Sequence, residues 1–278
     1  MEYMGGETYM SRVELMPFSS IIFFDNKIKE KIINLTSNKL LYEVEFELIR
    51  RGYRKCNFIH IDPLRPDAMK IIFENNFHYQ VLQSIKKYSG FAHTHYSPNS
   101  LEDTLMFTAV CSDKESLSIF ANAYFKGDHK TIGEMLGYPK CDIDFFVKYW
   151  NEHLDLVYPS AMNSTKEGDV VYFDPRLNIM LRYIGLRIIP HFPCSFQCPN
   201  AIKFAETIMD IMREKDSKLV DELLDVLSKP VIFSQVNGII QVEVYEDKSF
   251  TKPLFIIIQS GYSSEEYRLK MIPRWENE

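Results

Sequence analysis

Eight consecutive residues, His191-Phe192-Pro193-Cys194-Ser195-Phe196-Gln197-Cys198, hold two of the chain's five cysteines and one of its seven histidines. Thiolates and imidazoles bind zinc and iron, and the thiolate is also the nucleophile of cysteine chemistry. Cys194 and Cys198 stand about one helical turn apart, so both thiols can face one side. Upstream, Ile188, Ile189 and Pro190 end an apolar run; downstream, Ala201, Ile202, Phe204, Ala205, Ile208 and Met212 repeat at helical spacing. The pattern predicts a strand that turns into a helix at the cysteines. In a first helical turn, unpaired N–H groups and the positive end of the helix dipole favour the thiolate.

Cys141 is the natural third thiol, because Pro139 just ahead of it predicts another helix start. Cys141, Cys194 and Cys198 are therefore expected to converge as metal ligands, with His191 as a fourth ligand or as a donor behind them. Cys and His ligands suit zinc, and three cysteines that leave one position open suit an iron–sulfur cluster. Two rival readings stay open: metal-free chemistry in which one of Cys194 and Cys198 attacks and the other resolves as a disulfide, and a non-catalytic binding protein held together by a structural zinc. A small-molecule or peptide substrate is expected for an enzyme of this kind, one of specialised or modification metabolism.

His93 and His95 alternate in the loop-like interval Tyr88 to Glu102, so they project to one side of an extended segment and are candidate catalytic residues. Asp128-His129 reads as a helix cap, and His60 and Asp62 flank a strand end. Cys56 and Cys111 lie in or beside apolar strand patterns and are expected as buried core thiols. The sequence has no Gly-rich phosphate loop, no Gly-x-Ser-x-Gly elbow and no His-Glu-x-x-His.

These residues must be positioned by a chain of 278 residues with 46% hydrophobic content, long enough for a full core without staples. A net charge of -6 and a pI near 5.7 argue against a nucleic-acid partner, which needs clustered Lys and Arg. The start of the chain lacks a basic and an apolar signal region, and its apolar runs are too short to span a bilayer, so a cytoplasmic protein outside the membrane is expected, with its thiols free or metal-bound.

In order, residues 1–18 read as an arm, Ser20 to Phe24 as a strand, and Asp25 as the cap of a helix to Leu35. Helices are predicted over Leu40–Arg51, Asp67–Asn75, from a capping box at Ser112–Glu115 to Gly127, over Lys130–Leu136, and from Cys141 to about His153. Strands are predicted over Phe58–Ile61, Tyr79–Lys86 and Thr104–Cys111. Asp174-Pro175 opens a helix to Tyr183, and Leu219–Leu227 is a separate helix after the one that follows Cys198. Val231–Val236 and Ile239–Tyr245 form a hairpin at Asn237-Gly238, joined by Pro253–Gln259 as a third strand, with the last residues peripheral. The fold class is thus α/β (α+β): a mixed sheet with flanking helices, then a helical segment and a C-terminal antiparallel meander. The polar interval Ser160 to Asp169 divides it into residues 1–158 and 159–278, unless both form one continuous domain.

Three stretches, Leu136-Gly137-Tyr138-Pro139-Lys140-Cys141, His191 to Cys198 and Phe233 to Ile239, together resemble a prokaryotic family of unknown function, through Gly-Tyr-Pro-x-Cys and His-x-Pro-Cys-Ser-x-x-Cys motifs scattered over roughly residues 104–258. The resemblance implies a shared site and names no reaction. Two positions depart from the family pattern: Asp142 stands where a second cysteine is expected, and Asn237-Gly238 where relatives often read His-Gly. Asp142 can still bind a hard or borderline metal.

Overall fold

The computed structural model describes residues 11–16, 19–65, 67–87, 97–150, 156–164, 166–168, 170–234, 238–245, 251–259 and 268–275. Strands β1 (Ser11–Met16) and β2 (Ser19–Phe23) pair antiparallel, so part of the expected arm is sheet. Helix α1 (Asn26–Thr36) starts where the Asp25 carboxylate accepts the N–H groups of Lys27 and Ile28. Helix α2 (Leu40–Arg50) ends ahead of Gly52, which takes a φ of +75° that a side chain would oppose.

A small antiparallel sheet follows, with strand order β3 (Cys56–Ile61), β5 (Thr104–Cys111), β4 (His78–Lys86), and helix α3 (Asp67–Glu74) between β3 and β4. Its register sets Cys56 opposite Cys111, and the two are joined as a disulfide. Both are fully buried as expected, but the expectation of free thiols is corrected: they sit too close across the ladder to be independent core residues. Helix α4 (Lys114–Lys126) is capped by Asp113 and not by Ser112; the Asp113 carboxylate accepts the Ser116 N–H at 2.7 Å, and Ser112 donates to Asp113. Helices α5 (His129–Met135), α6 (Lys140–Tyr149) and α7 (Val157–Met162) come next.

The large sheet has eight strands in the order β1-β2-β10-β9-β8-β11-β7-β6, completed by β6 (Lys166–Glu167), β7 (Val170–Phe173), β8 (Val231–Ser234), β9 (Gly238–Val244), β10 (Thr251–Gln259) and β11 (Arg268–Pro273). The meander β8-β9-β10 is as expected, whereas part of the stretch expected to be peripheral is sheet: β11 lies between β8 and β7, antiparallel to one and parallel to the other. Its alternation explains this, for Leu269 and Met271 are buried while Lys270 faces out.

The largest core gathers Ile21, Phe23, Phe173, Phe196, Phe255 and Met271 with one side of α2 (Leu40, Val44, Leu48), whose other side (Phe46, Ile49) joins a second core with Ile59 and Ile72. Two expectations around the cysteine segment are corrected. Leu186 to Ile189 is not a strand, and the helix from Asp174 to Tyr183 is two short 3-10 turns, Pro175–Leu177 and Met180–Ile184. This stretch runs through the core as irregular backbone, and side chains replace the missing ladder: Ser160 donates to the Pro193 carbonyl at 2.8 Å and Asn178 to the Leu227 carbonyl at 2.7 Å. Helix α8 (Pro199–Leu227) continues through Leu219 but leaves helical geometry at Asp216 (φ -156°, ψ 91°), whose carboxylate caps the Leu219 N–H, so the separate second helix survives as a kink. Among the described residues no helix is long and apolar enough to cross a membrane.

Candidate metal centre

Pro139 cannot donate a backbone hydrogen bond and so ends the Gly137-Tyr138 turn and starts α6, which puts Cys141 and Asp142 in its first turn. Gly137 has φ +71°, and a Cβ there would strike the Tyr53 carbonyl and Arg54. From the other side, Ser195 to Cys198 close a turn in which the Cys198 N–H donates to the Ser195 carbonyl at 3.1 Å, and Cys198 then becomes the N-cap of α8. Cys194 and Cys198 therefore meet across a tight turn and not along a helix.

The result is one cluster. Ligand atoms of Cys141, Asp142, Cys194 and Cys198 all lie within 4.8 Å of one another, and the sulfurs of Cys141 and Cys198 are 3.6 Å apart. All three are free thiols, Cys198 buried and the other two half-buried. Asp142 is 1% exposed: Oδ2 meets His191 Nε2 at 2.7 Å, and Oδ1 accepts the Cys194 N–H at 2.8 Å and the Cys141 thiol at 3.7 Å. Asn200 donates to the Cys141 sulfur at 3.5 Å, and Asn163 to the Cys194 carbonyl at 2.9 Å.

Hydrogen bonding divides the three thiols. Donation from Cys194 draws Cys198 down to about 6 against the opposing effect of burial, with help from the Ala201 N–H and Cys141. Cys194 is pushed far up because its proton is held on Cys198, and by burial and the Asp142 charge. Burial above all pushes Cys141 up. Burial also works against the Asp142 carboxylate, yet the His191 and Cys194 hydrogen bonds prevail and hold its pKa below the usual value. Of the three thiols, Cys198 is the one its surroundings draw toward the thiolate, beside a carboxylate held below its usual pKa.

The structure brings Cys141, Cys194 and Cys198 together and sets His191 behind Asp142, outside the group whose atoms share the 4.8 Å sphere. His93 and His95 lie outside the described residues, as does Asn237. The sequence reading missed the wall behind His191: the Tyr138 ring stacks on the imidazole at 4.4 Å between centroids, and Phe204 meets it edge-on at 5.5 Å. Burial pushes the Tyr138 hydroxyl up to about 12, with Arg54 and Arg187 opposing and Glu45 adding. The Gly-Tyr-Pro turn was the available signal for Tyr138, and Phe204 was visible only as helical periodicity.

Four donors from two segments, three soft and one hard, could hold a metal ion. No protein-family model, curated protein or solved structure matches the chain.

Proposed function

We propose that this protein is a metal-dependent enzyme whose centre is a single zinc-class ion held by Cys141, Cys194 and Cys198, with Asp142 as the fourth donor, acting on a small-molecule or peptide substrate. The observation that carries the reading is the compactness of the donor set. Zinc–sulfur bonds of about 2.3 Å in a tetrahedron set sulfurs about 3.8 Å apart, close to the 3.6 Å between Cys141 and Cys198. An iron–sulfur cluster spreads its thiolates over different irons and needs wider spacing, so the single ion is the better fit.

Such an ion supplies Lewis acidity, toward a carbonyl or a water. With an ion bound, Asp142 would be the one oxygen donor in a thiolate set. His191 holds the Asp142 carboxylate through Oδ2, and the Tyr138 and Phe204 rings pack on the imidazole that makes that hydrogen bond. The joining of the Gly-Tyr-Pro-x-Cys and His-x-Pro-Cys-Ser-x-x-Cys stretches supports reading the family motifs as one centre. A cytoplasmic setting suits the free thiols, and the Cys56–Cys111 disulfide is sheltered there by complete burial.

A second reading, metal-free chemistry in which one of Cys194 and Cys198 attacks and the other resolves, has its own observation: Cys198 is drawn down to about 6 chiefly by its hydrogen bond with Cys194, and the two sulfurs lie within 4.8 Å of each other. Elemental analysis of anaerobically purified protein decides. One zinc per chain without acid-labile sulfide is expected. Iron with sulfide would overturn the single ion, and metal-free protein with two rapidly titrating thiols would replace it by the dithiol reading.

A further inference from the structure

The sulfurs of Cys141 and Cys198 touch at 3.6 Å although 57 positions of sequence separate them. A disulfide holds its sulfurs about 2.05 Å apart, so an approach of roughly 1.5 Å by two side chains would close the bond. Cys141 is the accessible member of the pair. It is half-buried in the first turn of α6, and the exposed Asn200 donates to its sulfur at 3.5 Å, whereas Cys198, the N-cap of α8, is buried.

Cys194 is held differently. Asp142 accepts its N–H at 2.8 Å, and its carbonyl accepts the Asn163 amide at 2.9 Å. The turn it opens is pinned as well: the Phe196 N–H donates to Ser164 Oγ at 2.7 Å and the Cys198 N–H to the Ser195 carbonyl at 3.1 Å. A bond from Cys194 to Cys198 would close a ring inside this pinned turn, whereas one from Cys141 to Cys198 joins two separately anchored segments whose sulfurs already touch. The Asp142–His191 hydrogen bond ties those segments together without using sulfur, so it can persist when the thiols change state.

We propose that Cys141 and Cys198 are a redox pair through which a hydroperoxide empties the centre. As ligands both sulfurs are thiolates. The Cys141 thiolate attacks the terminal peroxide oxygen, the O–O bond breaks, and the leaving oxygen takes a solvent proton and departs as alcohol or water, which makes Cys141 a sulfenic acid. The Cys198 thiolate then attacks the Cys141 sulfur; the S–S bond forms, and the hydroxide that leaves takes a second solvent proton. Two electrons have passed from the two sulfurs to the peroxide, and a dithiol reductant reverses the bond by exchange. Cys194 and Asp142 remain, two donors where a tetrahedral ion takes four, so the metal is released. Release rests on the single-ion reading above; the pairing of Cys141 with Cys198 does not.

The test treats the full chain, reconstituted with zinc, with one equivalent of hydrogen peroxide. Released zinc is read with a chromophoric chelator, free thiols are counted, and bonded peptides are mapped without reduction. Stoichiometric zinc release is expected, with free thiols falling from three to one and a bonded peptide pair carrying Cys141 and Cys198, all reversed by a dithiol reductant. Cys194→Ser should still form that pair. Zinc kept while the pair forms would overturn the release. A Cys194–Cys198 bond, or thiols driven to sulfinic acid with no bond, would overturn the pairing. Protein that binds no zinc yet bonds Cys141 to Cys198 would remove the ion and leave the pair standing.

Discussion

Asp142 Oδ2 and His191 Nε2 meet at 2.7 Å across 49 positions of sequence, and both side chains are withdrawn from water. Because the Asp142 Oδ1 is engaged by Cys194 as well, this carboxylate ties α6 to the cysteine loop before any ion arrives. Asp142→Ala strands the Cys194 N–H and the imidazole, and is expected to cost about 1–3 kcal/mol of stability. Urea unfolding measures it, and an unchanged midpoint would show the pair to be idle.

Metal content should depend equally on residues far apart in sequence. Cys141→Ser and Cys198→Ser are each expected to remove most of the bound metal, whereas Cys111→Ser should leave it intact, since Cys111 lies in a different core. Elemental analysis of the three variants checks this, and retention of metal by Cys141→Ser would dissolve the three-thiol centre.

The disulfide makes a separate prediction. Unfolded, unreduced protein should titrate three thiols and not five. Cys56 and Cys111 are 55 positions apart, and closing such a loop in the unfolded chain is worth about 4 kcal/mol on the chain-entropy model. Reduction should lower the melting temperature accordingly.

Asp113 has its pKa drawn down to about 2, first by the Ser116 N–H it caps and then by the Ser116 and Ser112 hydroxyls. A folded-state pKa below the unfolded value of about 3.9 stabilises the protein at pH values above the unfolded one. That contribution is lost as pH falls through the folded value near 2. Asp113→Ala should therefore cost about 1 kcal/mol at neutral pH, with the gap to the parent closing between pH of about 4 and 2. A gap independent of pH would mean that the charge is not involved.

Local signals were legible wherever one residue decides a boundary. Asp25, Gly52, Gly127 and the Pro139 turn mark helix ends through their own backbone preferences, and α2, β5 and α4 lie within a residue or two of where periodicity puts them. The convergence of Cys141 on Cys198 was legible through chemistry, since two thiols make a poor metal site. What failed depends on distant partners. Leu186, Ile188 and Ile189 are apolar because the chain threads the core there, and a short buried run does not reveal whether a neighbour strand will take its hydrogen bonds. The Cys56–Cys111 bond follows from a strand register that neither strand specifies alone. Arg54 gave no local signal, for its side-chain partners Glu45 and Asn57 belong to the helix before it and the strand after it.

The place of β11 bears on how the molecule is made. Residues 268–273 supply the strand that joins β8 to β7, so on the ribosome the two parts of the large sheet wait, each with an open flank, until that strand has been synthesised. Until then those flanks are available to other nascent chains. A stalled ribosome or an early stop codon before Arg268 would release a polypeptide with its cysteine loop already translated and its sheet still in two pieces, a natural client for a chaperone.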